Sequence, residues 1–349
     1  MHEPQVETQD APGPVLITGV TGQDGMLLAR ALVDEGRTVI GTARPGTPGL
    51  ARMAPYLEGV EIVSHDVADV AGFAHLLHRH RPAEVYNLAA FSAVRASWGD
   101  PERVFSSNAA AVAGMLEAMV RFRDVTGIEV RLFQASTAEV YGDRTEGRLD
   151  ESTPHQPRTP YAAAKSAAHQ LVVCYREHYG LFACNGIMFN HESPFRGQKF
   201  IAGRIARVAA LAARGEHETV TLGDMDVHRD WGAAVDYVRA ARLMLAHDIA
   251  DDYVVATGTT HTVRDLLNAA FAAVGRDDAL DHVRMDHTMW STTQARWLRG
   301  DPSRAQQRLG WSTTTSFEEL VAQLVNVDLQ RLESGVEESL AFLADAGAR

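Results

Sequence analysis

The sequence predicts an α/β protein in which a doubly wound parallel sheet is joined by a smaller, interleaved α/β lobe. Short continuous apolar runs alternate with longer amphipathic stretches through the first half of the chain, and a glycine-rich turn follows the first run. Beyond residue 190 the pattern becomes looser and richer in loops. Continuous apolar strands that alternate with helices are typical of a parallel sheet covered on both faces.

The predicted elements follow one another in a regular order. Strands are expected at 15–18, 38–43, 60–67, 84–90, 128–136 and 181–189. The helices of this half are expected at 26–36, 73–80, 101–124 and 161–179. Later helices are expected near 201–214, 263–275 and 316–329, with a strand-like segment at 252–258. Ligands of doubly wound sheets bind at the carboxyl ends of the strands, so we expect the site there.

Composition narrows the function classes. The 349 residues carry a formal net charge of −12, which argues against DNA or RNA as the main partner. No apolar run approaches the ~20 residues that span a bilayer. The polar N-terminus does not resemble a secretory signal, so we expect a cytoplasmic protein. Cys174 and Cys184 fit neither a disulfide framework nor a metal site, the histidines are scattered, and no metal is predicted.

The stretch TGVTGQDG (residues 18–25) predicts a dinucleotide site. It places Gly19, Gly22 and Gly25 between the first strand and the first helix. Glycines there allow a tight turn and let backbone N–H groups approach a diphosphate. An ordinary glycine-rich turn is the alternative. The other cofactor-binding candidates in this loop are Thr21, Gln23 and Asp24.

The end of the second strand favours NADP over NAD as the cofactor. An acidic residue there would accept hydrogen bonds from the ribose 2′-hydroxyl of NAD, but the stretch GTARPG contains Arg44, which suits the 2′-phosphate of NADP. A solvated loop position for Arg44 is the alternative. Asp66, after the third strand, is placed either to meet the adenine region or to cap a turn.

The stretch YAAAK (161–165) predicts proton and hydride chemistry. Tyr161 and Lys165 lie four residues apart and therefore share one face of a helix. A lysine ammonium near a phenol is expected to lower the pKa of that phenol. Such a tyrosine can take a proton from a substrate hydroxyl while hydride leaves the same carbon. Thr137, at a strand end 24 residues before Tyr161, makes the signal more specific.

Several stretches between about residue 15 and residue 325 carry a family resemblance: LITGVTGQDG, EVYNLAA, QASTAEVYG, PRTPYAAAKSAAH, YREHYGLFACNGIMFNHESPFRG, HRDWGAAVDYV, YVVATG and GDPSRAQQRLGW. They resemble the extended short-chain dehydrogenase/reductase family and, within it, the GDP-mannose 4,6-dehydratases. The resemblance implies that NADP binds to the residues named above and also to Val67, Leu88, Ala89, Ala90, Asn108, Tyr161 and Lys165.

The resemblance also implies a division of the chain. Residues 1–14 are expected to form a disordered lead-in. Residues 15–190 are expected to form an NADP-binding Rossmann domain that 224–258 completes, and 191–223 with 259–349 a substrate-binding lobe. By analogy with relatives, we expect a homodimer or a homotetramer.

Glu139 distinguishes the reaction types within this family. A carboxylate beside the nicotinamide can remove a carbon-5 proton and assist loss of the carbon-6 hydroxyl, whereas the 4-epimerases generally have a small residue there. The resemblance therefore implies a hydro-lyase. Tyr161, Lys165 and Thr137 would oxidise carbon 4, Glu139 would eliminate water across carbons 5 and 6, and hydride would return to carbon 6. The alternatives are a carboxylate that caps the next turn, and decarboxylases of UDP-glucuronate, which also carry a glutamate here.

The substrate-binding candidates are mostly arginines, whose planar side chains bind phosphate bidentately. Asn190 and Arg229 resemble family positions that hold the substrate diphosphate. Arg196 and Arg204 could add positive charge nearby, and Ser92 lies in a region that borders the sugar.

Two departures from the family pattern leave the substrate open. Phe91, Ser92 and Ala93 stand where Gln-Ser-His is usual, and Ser291 and Gln294 replace a charged pair. GDP-mannose is the expected substrate, and a GDP-heptose or another nucleotide sugar is the alternative. A 4-epimerase, reductase or decarboxylase of the same family remains possible. A regulatory protein that binds the cofactor without catalysis is disfavoured, because all four catalytic residues are retained.

Overall fold

The computed structural model describes residues 13–144, 147–289 and 296–347. In chain order its strands are β1 (Val15–Thr18), β2 (Val39–Ala43), β3 (Val60–Ser64), β4 (Glu84–Asn87), β5 (Arg131–Thr137), β6 (Ala183–Met188), β7 (Asn190–Glu192), β8 (Val220–Leu222), β9 (His228–Arg229), β10 (Trp231–Ala233), β11 (Asp252–Val255), β12 (His261–Thr262), β13 (Val283–Met285) and β14 (Trp297–Leu298). Its helices are α1 (Gln23–Asp34), α2 (Gly49–Met53), α3 (Val70–His80), α4 (Pro101–Phe105), α5 (Ala111–Thr126), α6 (Pro160–Tyr179), α7 (Ile201–Ala213), α8 (Ala234–Ala246), α9 (Val263–Ala272), α10 (Ser303–Leu309), α11 (Phe317–Ser334) and α12 (Phe342–Asp345).

The central sheet has seven strands in the order β11-β6-β5-β4-β1-β2-β3, and every pair is parallel. Apolar side chains of α3, α5 and α6 pack on one face, and those of α1 and α8 pack on the other. The prediction of a doubly wound parallel sheet is therefore confirmed. The order reverses at β1, which pairs with β4 on one side and β2 on the other. A crevice outside the carboxyl ends of the strands is where ligands bind in such sheets.

The helix that carries the predicted catalytic pair has well-defined ends. The side chain of Thr159 accepts a hydrogen bond from the Ala162 N–H, and Pro160 occupies the first helical position. Gly180 ends the helix in the left-handed conformation, with φ of 65°. Because α6 begins at Pro160, Tyr161 lies in its first turn, next to the carboxyl end of β5.

The smaller lobe surrounds a second apolar core formed mainly by α7, α9 and α11. Its short strands form three small sheets, in which β7 pairs with β10, β8 with β13, and β9 with both β12 and β14. The helices expected near 201–214, 263–275 and 316–329 correspond to α7, α9 and α11. Strand β7 begins two residues after β6 ends, so the first of these small sheets adjoins the carboxyl end of the central sheet.

Some details differ from the sequence prediction. Helices α8 and α10 were not predicted; α8 is rich in alanine and packs against α1 instead of belonging to the smaller lobe. The helix predicted at 101–124 extends from Pro101 to Thr126 and contains a π-helical turn at Ser106–Ala110. The predicted lead-in lies mostly outside the described residues, as do Ser291 and Gln294. Among the described residues, no helix is both long enough and apolar enough to cross a membrane.

Candidate active site

The glycine loop between β1 and α1 has the geometry of a phosphate cradle. Gly19 has a φ of +74°, and a Cβ added there would lie 2.8 Å from the backbone N of Ala89. A Cβ at Gly25 would lie 2.5 Å from the Gly19 carbonyl oxygen, so both positions require glycine. The N-terminus of α1 follows Gly22 and has no capping bond from a described side chain. Its N–H groups therefore remain available to a diphosphate, and the loop fits a dinucleotide.

The predicted adenine end lies at the neighbouring strands. Arg44 follows β2 directly and is exposed, whereas Thr21 of the glycine loop is partly buried. The Asp66 carboxylate accepts a hydrogen bond from the Ala68 N–H at 3.0 Å, so Asp66 does cap a turn, and it is also exposed. Val67, next to it, is buried. Arg44 and Asp66 therefore present their charges at the edge where β2 and β3 end.

The strand β5 and the helix α6 bring the proposed catalytic residues together. Thr137 is the last residue of β5, and its hydroxyl accepts a hydrogen bond from the Glu139 N–H at 3.3 Å. The Thr137 side chain also lies close enough to Tyr161 to lower the pKa of its phenol. Lys165 is buried one turn further along α6 and donates from Nζ to the Ala135 carbonyl at 2.7 Å.

Burial shifts the pKa values of Tyr161 and Lys165 in opposite directions. Burial raises the pKa of the Tyr161 phenol to about 12, and the hydrogen bond from Thr137 only partly opposes this rise. The Lys165 ammonium donates to the Ala135 carbonyl, and burial lowers the pKa of Lys165 to about 8. Burial by itself therefore favours the neutral phenol, and Tyr161 must lose its proton before it can act as a base.

Glu139 lies in the 3₁₀ turn Ala138–Tyr141 that follows β5. The turn is anchored by the buried side chains of Val140 and Tyr141, which leaves the Glu139 carboxylate at the carboxyl end of the sheet. Burial raises the pKa of Glu139, while the positive charge of Arg229 opposes that shift. A carboxylate whose pKa is raised toward neutrality can both accept and return a proton. This arrangement is suited to acid–base chemistry on a bound substrate.

A chain of buried hydrogen bonds supports Lys165, and the sequence analysis missed it. Thr18 donates to Asn87 Oδ1 at 2.6 Å, and Asn87 Nδ2 donates to Gln134 Oε1 at 2.7 Å. Gln134 Nε2 then donates to the Ala135 carbonyl at 3.0 Å, the same oxygen that accepts from Lys165. The sequence does contain a signal for this chain, because Thr18, Asn87 and Gln134 each end an apolar run. The three residues occupy paired positions of β1, β4 and β5.

The segment after β4 is held in place by a residue of the π-helical turn. Asn108 is buried; its Oδ1 accepts from the Phe91 N–H at 2.8 Å, and its Nδ2 donates to the Phe91 carbonyl at 3.0 Å. The Ala89 N–H donates to Thr18 Oγ1 at 3.1 Å. Asn108 therefore fixes the backbone beside the site. The preceding residues Leu88 and Ala90 are partly exposed.

The substrate-side candidates differ in their surroundings. Arg229 on β9 is buried and donates to the His228 carbonyl at 2.8 Å, and it interacts with the charges of Glu139 and Asp143. Arg196 forms an ion pair with Glu192 at 2.8 Å. Arg204 on α7 donates to the Thr221 carbonyl over a long distance of 3.4 Å.

The two remaining substrate-side candidates are polar. Asn190 is the first residue of β7 and is partly buried, whereas Ser92 is exposed. The structure therefore places Arg229 next to Glu139 and leaves Ser92 at the mouth of the site. Among the described residues, no group of three or more His, Cys, Asp or Glu side chains is arranged to hold a metal ion.

The sequence and the fold both resemble known proteins. The family model described as GDP-mannose 4,6 dehydratase matches residues 16–324. The chain is 38% identical over 344 residues to GDP-mannose 4,6 dehydratase 1 of Arabidopsis thaliana, covering 95% of this chain and 92% of the relative. It is 35% identical to GDP-mannose 4,6 dehydratase of Homo sapiens, covering 91% and 92%.

Solved structures agree on the fold. A UDP-glucose 4-epimerase of Thermus thermophilus in complex with NAD superposes with a TM-score of 0.78 at 27% identity, covering 90% of this chain and 98% of that one. A dTDP-glucose 4,6-dehydratase of Streptomyces venezuelae with NAD bound gives a TM-score of 0.80 at 24% identity, covering 92% and 98%. Both neighbours bind a nicotinamide dinucleotide.

Proposed function

Because this chain belongs to the GDP-mannose 4,6-dehydratase family, we propose that it converts GDP-mannose to GDP-4-keto-6-deoxymannose with loss of one water. The observation that carries this proposal is the position of Glu139. Its carboxylate lies one turn beyond Thr137, with a raised pKa and with Arg229 close enough to oppose that shift. A reaction confined to carbon 4 would need no such carboxylate, whereas elimination across carbons 5 and 6 requires one.

Oxidation at carbon 4 uses Tyr161 and Thr137. The phenolate of Tyr161 accepts the proton of the carbon-4 hydroxyl, and the neighbouring Thr137 side chain favours this charged form by lowering the pKa of the phenol. A dinucleotide held by the glycine loop and Lys165 would supply the acceptor for hydride from carbon 4 and later return that hydride to the sugar. The buried ammonium of Lys165 stabilises negative charge near the phenol and can contact the ribose hydroxyls of the dinucleotide.

Elimination uses Glu139. The carbon-4 ketone acidifies the neighbouring proton on carbon 5, which the Glu139 carboxylate removes. Glu139 then gives this proton to the carbon-6 hydroxyl, which leaves as water. Hydride adds at carbon 6, and the proton balance closes when the proton accepted by Tyr161 returns to carbon 5. The buried arginine Arg229 is placed to hold the substrate diphosphate beside this carboxylate.

The experiment that tests this function is incubation of the purified protein with GDP-mannose and NADP, followed by mass spectrometry of the sugar nucleotide. A product lighter by one water supports the proposal. An isomer of unchanged mass would indicate a 4-epimerase, and loss of carbon dioxide from UDP-glucuronate would indicate a decarboxylase. If GDP-mannose is unchanged but a GDP-heptose loses water, the result supports a 4,6-dehydratase reaction and shows that the substrate is the heptose.

NADP is the dinucleotide that we propose, and Arg44 supports it. The residue follows β2 directly, is exposed, and replaces the acidic residue that binds the ribose of NAD. We expect Arg44→Ala to weaken NADP binding about tenfold, because a charge-assisted hydrogen bond to phosphate is lost, and to leave NAD binding nearly unchanged. Titration of both dinucleotides by calorimetry checks this expectation. Equal weakening of NAD and NADP would contradict it.

The rate is expected to depend on pH through Glu139 and Lys165. Glu139 must be deprotonated to remove the carbon-5 proton, and burial raises its pKa, so kcat/KM should fall as pH decreases through that raised value. Lys165 acts as an ammonium, and burial lowers its pKa to about 8, so kcat/KM should also fall as pH increases through about 8. In Lys165→Arg, which stays protonated, the alkaline limb should shift to higher pH. An alkaline limb that does not move would contradict the role of Lys165.

The organisation of the molecule is part of the same proposal. We assign dinucleotide binding to 15–190 with 224–258, and substrate binding to 191–223 with 259–349. Pairing of β11 with β6 and the packing of α8 on the central sheet support the first assignment for 234–258, whereas β9 and β10 lie in the small sheets of the other lobe. A homodimer or homotetramer in the cytoplasm remains our expectation, and sedimentation analysis of the full chain tests the subunit number.

A further inference from the structure

The glycine loop is joined to the segment after β6 by side chains that take no part in the proposed proton and hydride transfers. His191 Nε2 lies 2.9 Å from Asp24 Oδ2, and His191 Nδ1 lies 2.7 Å from the Phe189 carbonyl oxygen. Gln23 Nε2 donates to the His191 carbonyl at 3.0 Å, and Ser193 Oγ donates to Gln23 Oε1 at 2.9 Å. We call the side chains of Gln23, Asp24, His191 and Ser193 the loop bridge.

The loop bridge contains a charged pair. Both partners of the His191 ring are acceptors, so both ring nitrogens must carry protons and the imidazole must be positively charged. Burial disfavours the charged form of each group, but the attraction and hydrogen bond between them favour it more strongly. The pKa of Asp24 is therefore lowered and the pKa of His191 is raised. The ring also stacks on Tyr237, with the centroids 4.6 Å apart. The pair is therefore shielded and fixed in orientation.

The position of the bridge links the two binding regions. Gln23 and Asp24 are the first two residues of α1, directly after the glycines that cradle the diphosphate. His191 lies in β7, immediately after Asn190, and β7 pairs with β10 of the smaller lobe. A shift of the glycine loop would therefore move Asn190 and the strand that carries it. The two segments are separated by 167 residues in sequence, so no local structure keeps them together.

Two further observations connect the bridge to ligands. Asp24 Oδ1 is buried and, within the described residues, has no hydrogen-bond donor, so it is left to accept from a group bound in the loop. The charges of Asp24 and Arg196 both act on the Tyr161 phenol. Arg196 itself donates to the His191 carbonyl at 2.6 Å. The bridge thus lies between the dinucleotide loop and the reacting centre.

We infer that Gln23 and Asp24 are positioning residues that couple the two ligands: a dinucleotide in the glycine loop holds β7 in the position in which Asn190 meets the nucleotide sugar. This inference rests on the proposed function, because it takes Asn190 as a substrate contact. Coupling between binding sites is reciprocal, so each ligand must raise the affinity for the other by the same factor. Couplings of this kind typically amount to roughly 5- to 150-fold.

The test compares GDP binding to the full-length chain with and without saturating NADP, by isothermal titration calorimetry. In the wild-type chain we expect NADP to lower the dissociation constant of GDP at least about fivefold. We define the GDP ratio as the dissociation constant of GDP without NADP divided by that with NADP. This ratio should fall toward one in Gln23→Leu, which loses both amide bonds, and in Asp24→Asn, which loses the charge of the pair. Asp24→Glu keeps the charge and should restore part of the ratio.

Arg37→Gln is the matched control. Arg37 forms a partly buried ion pair with Glu84 at 2.9 Å, at the amino ends of the strands and so at the opposite edge of the sheet. This variant is expected to lower the melting temperature without changing the GDP ratio, which separates coupling from general loss of stability. A ratio near one in the wild-type chain, or an unchanged ratio in Gln23→Leu and Asp24→Asn, overturns the inference.

The two proposals can fail separately. Because GDP is not turned over, the ratio is independent of catalysis. Coupled GDP binding without dehydration of GDP-mannose would contradict the proposed function and support the coupling. If GDP-mannose is dehydrated but the GDP ratio is the same in the wild-type chain and in the two bridge variants, the proposed function is supported and the coupling is contradicted.

Discussion

Replacement of Glu139 by Gln is expected to abolish dehydration while oxidation at carbon 4 remains measurable. The amide has the same shape as the carboxylate but cannot accept the carbon-5 proton. General base catalysis contributes about 10²- to 10⁴-fold, so the rate of water loss should fall by that factor. Rapid mixing with GDP-mannose should show reduced nicotinamide by its absorbance, since hydride would be taken from carbon 4 and not returned.

Glu177→Gln is the control for this variant. Glu177 is exposed near the end of α6, far along the helix from Tyr161, so its loss of charge should leave turnover within a factor of about two. If Glu139→Gln turns over GDP-mannose at nearly the wild-type rate, Glu139 is not the base and the elimination mechanism is wrong.

Replacement of Tyr161 by Phe is expected to block the first step itself. The variant removes the hydroxyl that exchanges the carbon-4 proton and leaves the ring packed against Val104, Ala109 and Ala164. We expect kcat to fall about 10²- to 10⁴-fold, with no accumulation of reduced nicotinamide. This absence distinguishes the variant from Glu139→Gln, in which oxidation precedes the blocked step.

A second tyrosine on the same helix provides the control. Tyr175 is partly buried, and its hydroxyl donates to Glu117 at 3.3 Å on the side of α6 that packs on α5. Tyr175→Phe should therefore change stability slightly and leave kcat nearly unaffected. Substantial oxidation at carbon 4 in Tyr161→Phe would assign the proton transfer to another group, with Thr137 as the nearest one.

Much of the fold was predictable because its strands are short apolar runs between helices. Such runs are buried on both faces, so the strands at 15–18, 84–90 and 128–136 could be placed within a few residues. Parallel strands bring their carboxyl ends to one edge, and for that reason residues far apart in sequence, such as Gly19 and Thr137, could be expected in one site. Helix α8 was not predicted although its sequence is amphipathic, and it packs against α1.

The features that the sequence did not predict depend on long-range contacts. The pKa of Tyr161 follows from burial and from neighbours such as Thr137 and Glu139, none of which the YAAAK spacing contains. The bridge between Asp24 and His191 joins residues that no local pattern relates. The chain from Thr18 to Gln134 was visible in principle, but only once the register of the strands is known.

The central claim is that hydride leaves carbon 4 and returns to carbon 6 of the same sugar around a loss of water. The most direct test uses GDP-mannose that carries deuterium at carbon 4, with the product examined by NMR. We expect a product lighter by one water with the deuterium at carbon 6. Deuterium that remains at carbon 4 or exchanges into solvent would contradict this account.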